Sequence, residues 1–184
     1  MPPEDLHITV LEIAHSLPAT SLPPLVRVLS PAIESLVACP TAHPSRLVRP
    51  LLSFDAAALA LSFVPAGDGK FTYHHLRREV FGLAKAAGVE IESRYVVPSA
   101  HVTVGRFVTA EDHGTREKME GWVEGLERIN EWLVGRYWPR EGGEEGGGGM
   151  EWVVEEELVL RMGRLWYGGG ETLAGEGVVW EGLK

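Results

Sequence analysis

His7-Ile8-Thr9-Val10 and His101-Val102-Thr103-Val104 are the two stretches whose reading decides the fold, and they stand 101 − 7 = 94 positions apart in a chain of 184 residues. In an extended strand, alternate side chains share a face and sit about 6.5–7 Å from each other. Each stretch therefore presents an imidazole and a hydroxyl side by side, while Ile8, Val10, Val102 and Val104 point to the core. Packing alone does not require His and Thr on the second face of a strand. The same pair on two strands points to chemistry, because imidazole titrates nearest neutral pH and can both take and give a proton.

The bare pattern His-x-Ser/Thr occurs four times, with His43-Pro44-Ser45 and His113-Gly114-Thr115 as the other two. Those two lie among Pro, Gly, Asp and Glu, where no strand is expected to hold the spacing. His7 and Thr9, and His101 and Thr103, are the candidate catalytic residues.

Outward from the first motif, residues 6–13 alternate and are rich in β-branched residues, which predicts a strand. Apolar positions from Leu25 to Val37 recur at helical spacing with a break at Pro31, and residues 39–50 read as a proline-rich loop. Strands are expected at 51–54 and 58–64, with a turn over 65–69. A helix over 73–87 stops at Gly88. Strands follow at 90–97 and 101–108. Residues 111–138 then form an amphipathic helix with Trp122, Leu126, Ile129 and Leu133 as its buried stripe. Residues 141–149, almost entirely Gly and Glu, read as a flexible insertion. A strand over 152–162 follows, and one near 178–180 is expected to pair with Leu165-Trp166-Tyr167. Strands separated by helices in this order predict an α+β fold, and the length suits one domain over 1–184, with room for two lobes.

Composition narrows the function. Residues 1–110 carry nine basic and nine acidic side chains, and residues 111–184 carry eight and seventeen, so the net charge of -9 belongs to the second part. A protein that tracks a long duplex needs a basic face, which this sequence does not advertise, so a small or terminal phosphate is the better fit. The single Cys39 has no partner for a disulfide or a zinc site, and it reads as a core or loop residue. No apolar run of membrane-spanning length and no secretory leader is read. The expectation is a cytoplasmic protein, with the nucleus as the alternative and no membrane partner. Oligomeric state is left open.

Lesser candidates have bland readings. His74 and His75 are adjacent on a helix and diverge by about 100°, so they cannot chelate together. His15 reads as a loop residue. Arg77, Arg94 and Arg106 read as surface cations, with Arg106 alternating away from the His101 face. Phe107 shares that face by alternation, and Tyr167 lies near the glycine-rich turn. Both are candidates to stack on a nucleotide base.

The two motifs, with the text around them in Leu6-His-Ile-Thr-Val-Leu-Glu-Ile-Ala-His15 and Pro98-Ser-Ala-His-Val-Thr-Val-Gly-Arg-Phe107, resemble the two-histidine (2H) phosphoesterase superfamily. The closer likeness is to its fungal branch related to cyclic nucleotide phosphodiesterases and 2′-5′ RNA ligase-like proteins. The resemblance covers nearly the whole chain, although only the motifs are specific. It implies a two-lobed fold in which antiparallel sheets line a central cleft, with helices outside. It also implies hydrolysis of a 2′,3′-cyclic nucleotide or an RNA-terminal cyclic phosphate, with no metal and no cofactor. One histidine would act as base and the other as acid, unassigned between His7 and His101, with Thr9 and Thr103 donating to the phosphate. The same site also suits an RNA-end exonuclease or a 2′-5′ phosphodiesterase, and a non-catalytic nucleotide- or RNA-binding module remains open. Family members carry a further strand and helix before the first motif. Either this chain is a truncated product or the fold tolerates the loss.

Overall fold

The computed structural model describes residues 3–67, 71–93, 99–139, 149–165, 169–175 and 177–179. The fold is α+β. Helices α1 (Leu22–Leu29) and α2 (Ile33–Ala42) precede the hairpin of β1 (Ser45–Phe54) and β2 (Ala58–Pro65); α3 (Tyr73–Ala86), β3 (Ala100–Arg106) and α4 (Arg116–Tyr137) follow. The remaining strands are β4 (Glu151–Val154), β5 (Leu160–Met162), β6 (Glu171–Gly175) and β7 (Val178–Val179). Two antiparallel sheets result, in the orders β3-β2-β1-β4 and β5-β6-β7.

Local chemistry explains the helices. Thr72 caps α3 reciprocally with His75, and Gly88, at φ 96°, ends it in a conformation that costs glycine little. The expected break at Pro31 is a 3-10 turn over Ser30–Ala32 between α1 and α2. Leu29, Ile33, Leu36 and Val37 of that pair, Tyr73, Leu76, Val80 and Ala84 of α3, and Leu47, Phe63, Ala100 and Val102 of the sheet form one core with Ala174 of β6. Among the described residues one stretch, Ala19–Ala42, is long and apolar enough to cross a membrane by length and composition, contrary to the sequence expectation. In the fold it is broken into short helical segments, and its buried Leu29, Ile33, Leu36, Val37 and Cys39 belong to that core.

Several expectations are corrected. Residues 39–50 are no loop: α2 runs to Ala42 and β1 starts at Ser45. Pro50 is tolerated because the β1–β2 register shifts between Val48 and Leu51, where Arg49 adopts φ 56° and a proline need not supply a ladder N–H. Residues 6–13 form no strand; they touch the sheet through one bridge, Ile8 to Val102. Consecutive Val10 and Leu11 both pack on the core, which a flat alternating strand cannot do. Residues 90–93 also lie outside any strand, with Ile91 on the core, and 94–97 fall outside the described residues.

The expected strand over 152–162 is split between the two sheets at Glu155-Glu156-Glu157, three exposed carboxylates that cannot share a buried ladder. Strand β7 pairs with β6 rather than with Leu165. Residues 141–148 of the expected insertion lie outside the described residues.

Helix α4 starts at Arg116, with the Thr115 hydroxyl accepting from the Lys118 amide. Leu126 and Leu133 are buried and Trp122 is half-buried, but Ile129 is 45% exposed and leaves the expected stripe. Asn130 of α4 accepts from the Leu52 N–H at 2.7 Å and donates to the Leu52 carbonyl at 3.1 Å, beyond the point where β4 stops pairing with β1. The Trp138 indole donates to the Pro50 carbonyl at 3.1 Å.

Candidate functional site

Strand β3 divides its side chains as the sequence predicts up to Thr103. Ala100 and Val102 are buried in the core, while His101 and Thr103 are half-buried on the opposite face. Across β3, Ser62 of β2 is paired with His101 and Ala60 with Thr103. Across β2, Leu51 of β1 is paired with Ser62 and Ser53 with Ala60. The face is open, with Ser53 exposed and Val64 48% exposed.

The first motif meets β3 along its free edge. Ile8 bridges Val102 in antiparallel sense, which sets the segment carrying His7 and Thr9 beside the strand carrying His101 and Thr103. Ile8 packs against the core, as Val102 does.

Each ring is held at Nδ1. In His7 that nitrogen lies 2.8 Å from the Asp5 carbonyl. A carbonyl can only accept, so Nδ1 carries the proton and the neutral ring keeps its lone pair at Nε2. In His101, Nδ1 lies 3.0 Å from the Ser99 hydroxyl. Burial lowers the His101 pKa below the usual imidazole value; the charge of Arg77 pushes the same way, Asp55 opposes it, and His7 adds a smaller push downward.

A bulge rearranges the end of β3. The β2–β3 register shifts between Leu59 and Ala60, so that Gly105 pairs with Leu59 and Arg106 with Ala58. The extra residue reverses the alternation: Arg106 joins the face of His101 and Thr103, and Phe107 leaves it. The Phe107 ring packs 4.6 Å from His113 and 5.6 Å from Trp122 of α4. Both sequence expectations are thereby corrected. The Asp55 carboxylate is held below the usual range first by the Ala57 and Ala58 amides, with Arg106 and His101 adding their charges. Arg77, expected at the surface, is buried on α3.

Other candidates have structural roles. His75 belongs to the α3 cap, His15 contacts Ser16 in a loop, and His43 stacks on Phe71. Cys39 is a core residue whose thiol is pushed up to about 11, chiefly by burial, which makes it inert. Tyr167 and Arg94 lie outside the described residues. Among the described residues no group of three or more His, Cys, Asp or Glu side chains could hold a metal ion.

Ser99, Ser62 and Ser53 were not legible as site residues. Ser99 has a weak signal, two positions before His101; Ser62 and Ser53 become neighbours of the motifs only through strand register. No family model, curated protein or solved structure matches the chain.

Proposed function

We propose that this protein is a metal-independent phosphodiesterase that opens the cyclic phosphate of a 2′,3′-cyclic nucleotide or an RNA 3′ end by two-histidine acid–base catalysis. The observation that supports the reading is the Ile8–Val102 bridge, which brings the segments of the two motifs side by side. The reading includes the two-lobed arrangement around a cleft. Two antiparallel sheets and the origin of the motifs in separate parts of the chain are what supports that part.

A phosphodiester needs a proton removed from the entering water and one delivered to the leaving oxygen. His101 resists protonation, because burial and the nearby Arg77 charge disfavour its charged form, with Asp55 opposing them. That suits His101 to the role of base and leaves His7, whose Nδ1–H donates to the Asp5 carbonyl, as the acid. His101 is then the base: its Nε2 takes a proton from water as the water oxygen bonds to phosphorus. His7 is the acid: its Nε2–H protonates the ribose oxygen as the phosphorus–oxygen bond breaks, giving a phosphomonoester and a free hydroxyl. Thr9 and Thr103 donate to the non-bridging oxygens.

The test is incubation with 2′,3′-cyclic nucleotides in EDTA, with the His7→Ala/His101→Ala double variant as control. Turnover that persists in chelator and vanishes in the variant is expected. Absence of turnover, or turnover abolished by EDTA, sinks the proposal.

A further inference from the structure

Strand register extends the site beyond the two motifs. One row across the sheet runs His101, Ser62, Leu51, and the next runs Thr103, Ala60, Ser53. All six side chains occupy the same face. Ser62 is therefore the direct neighbour of His101 on the side away from the first motif, at a Cβ separation of about 4.5–5.5 Å. Ser53 sits diagonally across β1–β2 from Ser62, and their hydroxyl oxygens are 2.5 Å apart.

A hydroxyl pair has a defined capacity. One oxygen donates to the other, which leaves one hydrogen and several lone pairs for a third group. Ala60, between Thr103 and Ser53 in its row, projects only a methyl group and leaves room above the sheet. On the free edge of β3 the first-motif segment is held by its single bridge, and further along it the Glu92 N–H donates to the Ile13 carbonyl. On the β2–β1 side a ligand whose phosphate sits between the histidines has the paired strands beneath its remaining bulk.

We infer that the Ser62–Ser53 hydroxyl pair, over the Ala60 floor, is the sugar subsite of the enzyme and hydrogen-bonds the ribose of a nucleoside cyclic phosphate. The inference rests on the proposed phosphodiesterase reading for where the phosphate sits. It commits the substrate to one whose cyclic phosphate is fused to a furanose, with the ring and 5′ oxygens as acceptors for the remaining serine hydrogen, and it gives the two serines a part in specificity rather than in proton transfer.

Ser62→Ala and Ser53→Ala are compared with the parent on a nucleoside 2′,3′-cyclic phosphate and on ethylene phosphate, the five-membered cyclic phosphodiester without a sugar. Loss of one hydrogen bond to ribose raises KM for the nucleotide about fivefold, with kcat little changed, and shrinks the preference for nucleotide over ethylene phosphate by the same factor. An equal loss on both substrates, or no loss on either, overturns the subsite. If the parent turns over neither substrate, the hydrolase reading fails, and equilibrium binding decides this one. Weaker binding of a nucleoside 2′-monophosphate by about fivefold in the variants, with inorganic phosphate binding less affected, upholds the subsite. No nucleotide binding by the parent, or equal weakening for both ligands, overturns it.

Discussion

Ile8 and Val102 face each other across a single antiparallel bridge, and both direct their side chains into or against the core. That contact relates two stretches 94 positions apart, since 102 − 8 = 94, and brings the segments of the two motifs side by side.

The histidines are expected to dominate activity. His7→Ala and His101→Ala should each lower kcat on a cyclic nucleotide by about 100- to 10,000-fold. Far-UV circular dichroism of both variants should match the parent. Retention of more than a tenth of the parental kcat in either variant would remove it from the mechanism.

The threonines should behave alike because the proposed mechanism gives both the same task. Thr9→Val and Thr103→Val each remove one donor to the phosphate, at a cost of about 3 kcal/mol in the transition state, or about 100-fold in kcat. Steady-state kinetics on both variants provide the check; a loss in one and none in the other removes the silent threonine from the site.

Acid should affect catalysis and stability together. The folded pKa of His101 lies below its unfolded value of about 6.5, so in the window between the two the unfolded chain binds more protons. This group's contribution is fully retained above the unfolded pKa and declines as pH falls through the window. Urea midpoints at pH 7.5 and 5.5 should differ more for the parent than for His101→Ala.

The buried Arg77 guanidinium helps keep His101 neutral. Arg77→Gln should therefore move the acidic limb of the kcat/KM profile to higher pH, and Arg77→Lys should restore it. A profile that stays fixed in the Gln variant while its activity falls uniformly would assign Arg77 to packing alone.

The Asn130 amide satisfies both backbone groups of Leu52. Asn130→Ala should destabilise the fold by about 1–3 kcal/mol, because it leaves a part-buried N–H and C=O without partners. Denaturant titration measures this, and an unchanged midpoint would show that water replaces the amide freely.

Sequence made the helices legible where period and punctuation agreed, as in α3 with its stop at Gly88, and in the two-segment helix broken at Pro31. It also placed His101 and Thr103 on one face of β3, since alternation is local. It misplaced Arg106 and Phe107 because a bulge adds a residue without any composition of its own to mark it, and every later side chain changes face. The start of β1 was hidden for the same reason, with Pro50 tolerated at a register shift. Ser62 and Ser53 could not be read at all. Their nearness to His101 is a product of two adjacent ladders, one turned by a hairpin and one joining segments distant in sequence.

The contact between Asn130 and Leu52 also bears on how molecules of this protein meet. A sheet margin with a bare N–H and C=O is an invitation for an extended segment of another chain to add itself. At Leu52 both groups are already taken by a helix side chain that gives one hydrogen bond and receives the other, as a visiting strand would. That part of the β1 margin is closed to intermolecular growth without a further strand being spent to cover it.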